Sequence, residues 1–123
     1  MILTEIENTE KQSYLKLGVG KNKRHVLMSD ILYCKADINY THIFINDNTK
    51  IVTSKTLKVY DELLSSTTFF RIHASYIVNT KEIINLQKNH LILTLKNGIQ
   101  LPLSHRKKAG FKSMLKKITL NIH

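Results

Sequence analysis

The sequence predicts a mainly β domain, with one short helix in the middle of the chain and a second at its C-terminal end. Three observations point there. Turn signals are dense, the segments between them are short and rich in β-branched and aromatic residues, and only two segments carry a helical period. The 123 residues suit one domain and leave little room for two. A chain of that size buries roughly two-thirds of its unfolded surface, enough for a core without staples. With 42% hydrophobic residues, the composition falls in the globular range.

Residues 12–19 nearly alternate, with Tyr14, Leu15, Leu17 and Val19, and read as a strand. Residues 18–22 supply a turn and residues 24–28 return. Residues 30–36 are apolar on both faces, as in a strand covered on two sides. Asp37-Ile38-Asn39 interrupts it. Residues 40–45 are then aromatic and β-branched, and Asn46-Asp47-Asn48 makes a tight connection to residues 50–53. This half is a meander of short antiparallel strands.

The period then changes. Leu57, Tyr60, Leu63 and Leu64 share one face of a helix over residues 54–64, with Ser54 or Thr56 as N-cap. Lys58 and Glu62 are neighbours on the other face. Residues 69–72, 76–78 and 83–86 are short strands. Residues 90–96 alternate, Asn97-Gly98 signals a two-residue hairpin, and residues 99–103 pair back, with Pro102 placing that strand at an edge. Over residues 104–118, Phe111, Met114, Leu115 and Ile118 share a helical face flanked by lysines, although Gly110 weakens the first turns. The domain therefore covers residues 12–118, with 1–11 as a linker or N-terminal extension and 119–123 as a tail.

Charge narrows the partners. Lys and Arg number 19 against 9 Asp and Glu, a net +10. Glu5, Glu7 and Glu10 precede every cation, so residues 11–123 set all 19 cations against six carboxylates, a net +13. From Arg106 onward there are six cations and no acidic side chain. Concentrated self-repulsion of this kind speaks for a polyanionic partner. Cys34 is the single cysteine, which excludes an internal disulfide and a cysteine-based zinc site and suggests a small apolar core residue in a reduced, cytoplasmic setting. No apolar run approaches the roughly 20 residues that cross a bilayer, and the first residues lack a signal-peptide pattern, so no membrane partner is expected.

Catalysis and cofactors find little support. The six histidines are dispersed, with no metal-ligand spacing. Ser104 and His105 are adjacent with no acid nearby in sequence to orient the imidazole, and Gly18-Val19-Gly20-Lys21 lacks the spacing of a phosphate loop. Neither a recognition-helix pair nor the glycine-aromatic run of an RNA-binding sheet is present. Hydrogen-bonding and cationic side chains instead gather at three breaks between strands: Asn39-Tyr40-Thr41-His42, Arg71-Ile72-His73-Ala74-Ser75 and Ser104-His105-Arg106-Lys107. Such loops on a rigid β scaffold suit phosphates and base edges. Each cluster also has a local explanation, with Tyr40 in the core, His73 capping a backbone carbonyl and Ser104 capping the last helix. The alternative in a different class is a basic interaction module for an acidic protein.

Three segments together resemble the LytTR DNA-binding domain of bacterial transcriptional regulators: Asp30-Ile31-Leu32-Tyr33 with Asn39-Tyr40-Thr41, then Phe69-Phe70-Arg71-Ile72-His73-Ala74-Ser75-Tyr76-Ile77-Val78-Asn79, then Leu101-Pro102-Leu103-Ser104-His105-Arg106. The central run is the specific one, and the resemblance covers about residues 12–117. It implies an elongated stack of small antiparallel sheets whose loops enter successive major grooves of promoter DNA and bend it. By that resemblance Thr41, His42 and Arg106 read bases. Asn39, Arg71, His73, Ser75, Ser104, His105 and Lys107 meet the backbone or minor groove, and Lys50, Ser54, Thr56 and Lys58 face phosphates. Ala74 stands where members carry a longer polar side chain, and a methyl group donates no hydrogen bond. The resemblance further implies a monomer that pairs on DNA repeats, and either a receiver domain in a parent two-component regulator or a stand-alone regulator.

Overall fold

Residues 6–9, 12–18, 20–65 and 68–122 are described in this computed structural model, with side chains over 13–18, 20–65 and 68–117. The elements run β1 (Ile6–Thr9), β2 (Gln12–Leu17), β3 (Arg24–Leu27), β4 (Ile31–Asp37), β5 (Tyr40–Ile45), β6 (Lys50–Thr53), α1 (Leu57–Leu64), β7 (Phe69–His73), β8 (Tyr76–Asn79), β9 (Ile83–Gln87), β10 (Ile92–Leu95), β11 (Gln100–Pro102) and α2 (Lys108–Ile122). They form three sheets, β1-β2-β3, β6-β5-β4-β8-β7 and β11-β10-β9. Each described pairing is antiparallel. β1 lies in the segment that the sequence reads as a linker or extension, and it pairs with β2 from Ile6↔Leu15 to Thr9↔Gln12.

β4 is the spine of the five-stranded sheet, and both of its faces are covered. On one side Ile31, Cys34, Ile43, Ile45 and Ile77 pack with Leu57, Tyr60, Leu63 and Leu64 of α1 and with Leu15, Leu17 and Val26 of the first sheet. On the other, Tyr33, Ile72 and Val78 pack with Leu93, Leu95 and Leu101 of the third sheet and with Phe111 of α2. A fully buried Leu or Ile contributes about 1.5–3 kcal/mol, so both covers are needed to hold the sheet. A bulge makes the two-sided burial of β4 possible. Ile31 faces Ile45 and Tyr33 faces Phe44, leaving Leu32 as the extra residue, so Leu32 and Tyr33 both join the second core before Cys34 returns to the first. Tyr33 stacks on Phe44 with ring centroids 4.3 Å apart. Burial pushes the Cys34 thiol up from its ordinary value; burial, then the neighbouring Tyr76 phenol, does the same for Tyr33.

Helix α1 buries the four residues that its period selects, and Thr56 stands at its N-cap in an extended conformation without a side-chain cap bond. At the second helix Ser104 caps a short 3₁₀ turn, His105–Lys107, by accepting the Lys107 N–H at 3.3 Å, and α2 follows. Pro102 lies on β11, an edge strand, where its missing N–H removes no ladder bond.

One turn differs from expectation. The Asn97-Gly98 connection is a three-residue loop, 96–98, closed by the Leu95 N–H donating to Ile99 O and the Gly98 N–H to Leu95 O, both at 2.8 Å. A two-residue turn of the Asn-Gly type needs positive φ at both positions. Here Gly98 alone has it, at 88°, while the Asn97 carboxamide accepts the Ile99 N–H at 3.1 Å. The same loop recurs at 46–48, with Asn48 at φ 67° in the glycine's place. There the Thr49 hydroxyl, donating to Asp47, holds that carboxyl below the usual carboxylate range.

Candidate nucleic-acid interface

The strand pairings bring the three polar clusters to one end of the five-stranded sheet. Asp37 faces Tyr40, which leaves Ile38 and Asn39 as the two-residue tip of the β4–β5 hairpin. Lys35 faces Tyr76 on β8, and the Ala36 N–H donates to Ser75 O at 2.9 Å, so the β7–β8 turn at Ala74 and Ser75 lies beside that tip. On the outer side of β7, the Ser104 N–H donates to Ile72 O at 2.9 Å and sets residues 104–107 next in the row. Hairpin tip, turn and 3₁₀ turn thus follow one another across the sheet end.

In the first cluster the sequence expectation is corrected at two positions. Thr41, expected to read bases, is fully buried, and its hydroxyl donates to Lys55 O at 2.8 Å. Odd-numbered residues of β5 point to the α1 side, as Ile43 and Ile45 show, so Thr41 braces residues 54–56 and offers no surface. Tyr40, read locally as core, is 49% exposed because it lies on the alternate face near the tip. Asn39 is exposed. His42 is half-buried, with Nε2 3.1 Å from Asp37 Oδ2, so it answers the one carboxylate at the tip.

The middle and third clusters share a cleft of about 340 Å³ lined by Asp61, Arg71, His73, Ala74, Ser104, Arg106 and Lys107. Arg71 braces it: one guanidinium nitrogen donates to Ala74 O at 2.7 Å and the other lies 3.9 Å from Asp61. His73 caps no carbonyl; its Nδ1 accepts the Ser75 N–H at 3.0 Å, and its ring meets Tyr76 edge-on. His105 and Arg106 are exposed and Lys107 is half-buried. Ser54, Thr56 and Lys58 are exposed near the first tip, since Thr53 pairs with Thr41. Lys50 is left apart: it pairs with Phe44 and sits at the opposite end of the sheet, beside the 46–48 loop.

Sequence reasoning missed Asn79, the last residue of the specific central run. It is 1% exposed; its Nδ2 donates to Ile31 O at 3.0 Å, and its Oδ1 accepts from the Thr68 hydroxyl and the Lys81 N–H. The signal was present as a polar residue closing an apolar strand. Among the described residues no three of His, Cys, Asp and Glu come together in a metal-binding group, and no helix is long and apolar enough to cross a membrane.

Comparison with known proteins gives one consistent result. The family model described as the LytTr DNA-binding domain matches residues 21–116. The sensory transduction protein LytT of Bacillus subtilis is 29% identical over 118 residues, covering 94% of this chain and 48% of that protein. The transcriptional regulatory protein LytR of Staphylococcus aureus is 35% identical over 71 residues, 55% of this chain and 29% of its own length. The chain thus spans about half, or less, of the length of these relatives. A solved LytTr DNA-binding domain from Bacillus cereus superposes with a TM-score of 0.72 at 24% identity, covering 83% of this chain and 95% of the other.

Proposed function

The chain belongs to the LytTr DNA-binding domain family, and from that premise we propose that it recognises double-stranded promoter DNA with the row of loops at the end of its central sheet. DNA binding in transcription regulation is the activity of the family. The finer reading concerns how this chain does it. The observation that supports it most is the shared cleft, in which His73, Arg106 and Lys107 stand together while Arg71 answers Asp61. A carboxylate so matched leaves the net field of the loop row positive, which suits a phosphate backbone.

Roles follow from chemistry and exposure. Arg106 presents a planar fork of donors and suits guanine O6 and N7 in a major groove. Asn39 at the hairpin tip and His42 behind it read bases in the preceding groove, with Thr41 holding residues 54–56 from behind. His73, Ser75, Ser104, His105 and Lys107 lie between the two and meet the backbone or minor groove. Ser54, Thr56 and Lys58 take phosphates flanking the tip. Lys50, at the far end, takes none in the same stretch. DNA then bends toward the loops, and two monomers occupy adjacent repeats. The chain works without catalysis, inside the cytoplasm, as the output part of a regulator whose receiver domain lies in the parent chain.

The test is a band-shift titration on duplexes selected from a random pool. With about six phosphates neutralised, log K against log salt concentration should fall with a slope near −5. A slope near zero, or equal retention of an acidic protein and no duplex preference, favours the interaction-module alternative and overturns the assignment.

A further inference from the structure

We infer that Ile38 is a specificity-determining contact that packs on the 5-methyl group of a thymine in the major groove. The inference rests on the DNA-reading role of the β4–β5 hairpin, and it explains a residue that the charge argument leaves out. Ile38 leads the two-residue tip, is 90% exposed and has φ 54°. Left-handed backbone is costly for any L residue and most so for a β-branched one, which is why glycine or asparagine takes such positions. Among the described residues Gly18, Gly20, Gly98 and Asn48 do so in three of the other hairpin loops, and Leu91, at φ 51° in a fourth, is buried in the second core, which offsets its strain as nothing in the fold does for Ile38. At the tip the chain instead carries strain and an exposed butyl side chain on one residue. With nine-tenths of its surface in water, the side chain gains almost nothing from the fold, and strained residues of this kind gather where a ligand is met.

The chemistry of the side chain limits the ligand atom. Ile38 has no donor, acceptor or charge, so neither a phosphate nor a polar base edge gains from it. The one apolar group that B-form DNA offers in the groove wide enough for a two-stranded ribbon is the thymine methyl, which the minor groove does not present. The polar surroundings fit the same docking. Asn39 beside Ile38 is exposed, and His42 Nε2 stands 3.1 Å from Asp37 behind it, so an imidazole nitrogen already meets the carboxylate before the tip approaches phosphates.

The experiment takes the duplex recovered from a random pool and replaces each thymine in turn by deoxyuridine, which removes the methyl group alone. For the wild-type chain one replacement should weaken binding about fourfold, the worth of one buried methyl-sized group. For Ile38→Gly and Ile38→Asn that same replacement should be silent while the other positions respond as before. Both variants should also show a higher urea midpoint, because the strain is relieved, so a loss of discrimination is not a loss of fold. Identical deoxyuridine profiles in wild type and variants, flat ones included, overturn the contact and leave the hairpin's DNA role standing. A lower midpoint in both variants removes the strain on which the inference stands. A wild-type chain that retains no duplex overturns the inference and the function together.

Discussion

Among the single residues, Arg106 and Asn79 separate two meanings that one sequence motif combines. Arg106 is exposed at the mouth of the shared cleft, free of the bracing bonds that occupy Arg71. Arg106→Ala should cost about 1–3 kcal/mol on the selected duplex and flatten preference at one base pair. A fluorescence titration giving equal losses on selected and scrambled duplexes would reassign it to phosphate. Asn79 sits inside the fold with three hydrogen bonds to Ile31, Thr68 and Lys81. Removing it leaves the buried Ile31 carbonyl and the half-buried Thr68 hydroxyl without that partner. Asn79→Ala should therefore destabilise by about 2–4 kcal/mol in urea unfolding, with DNA preference unchanged in the folded fraction. Much of the central run that carries the family resemblance is thus support: Arg71 braces a turn, and Asn79 ties β8 to β4.

For the strands and loops, most of the architecture was legible because short-range rules govern it. The alternation of β5, the two-faced apolar run of β4, the 3.6 period of α1 and the edge position forced by Pro102 all follow from residue type and spacing. What escaped was set by distant partners. Thr41 and Tyr40 are neighbours in sequence, and only the placement of α1 against one face decides which is buried and which meets solvent. The gathering of three clusters at one sheet end depends on strand order, which spacing does not encode. The loop at 96–98 escaped for a local reason, since Asn97 spends its carboxamide on Ile99 and leaves positive φ to Gly98. A Cβ added at Gly98 meets nothing within 4 Å, so backbone conformation alone sets the effect of Gly98→Ala. That variant should lose about 1–2 kcal/mol by urea denaturation, whereas a clash-driven position would lose more.

Over the whole molecule, two cores on opposite faces of one sheet take up two ionisable groups, Cys34 completely and Tyr33 for most of its surface. The folded chain holds the Cys34 proton well above its ordinary value of 9.0, and the Tyr33 proton above 10.0. Below about 9 both states keep these protons and stability is level. As pH rises further, the unfolded chain releases the Cys34 proton first, so the folded state binds more protons and stability falls by about 1.4 kcal/mol per pH unit, with Tyr33 adding in the same direction only above about 10. Urea midpoints at about pH 8 and about pH 10 should differ accordingly, and Cys34→Ala should shrink the difference. An unchanged slope in that variant would place the alkaline loss elsewhere.

The tie between Ser104 and Ile72 on one side and the seating of Phe111 on the other fix both ends of the short segment that carries Arg106. A guanidinium on a free arm would surrender much of its wandering on meeting a partner. Strapped down at each end, this one has less disorder to give up, so a larger share of its attraction survives as affinity.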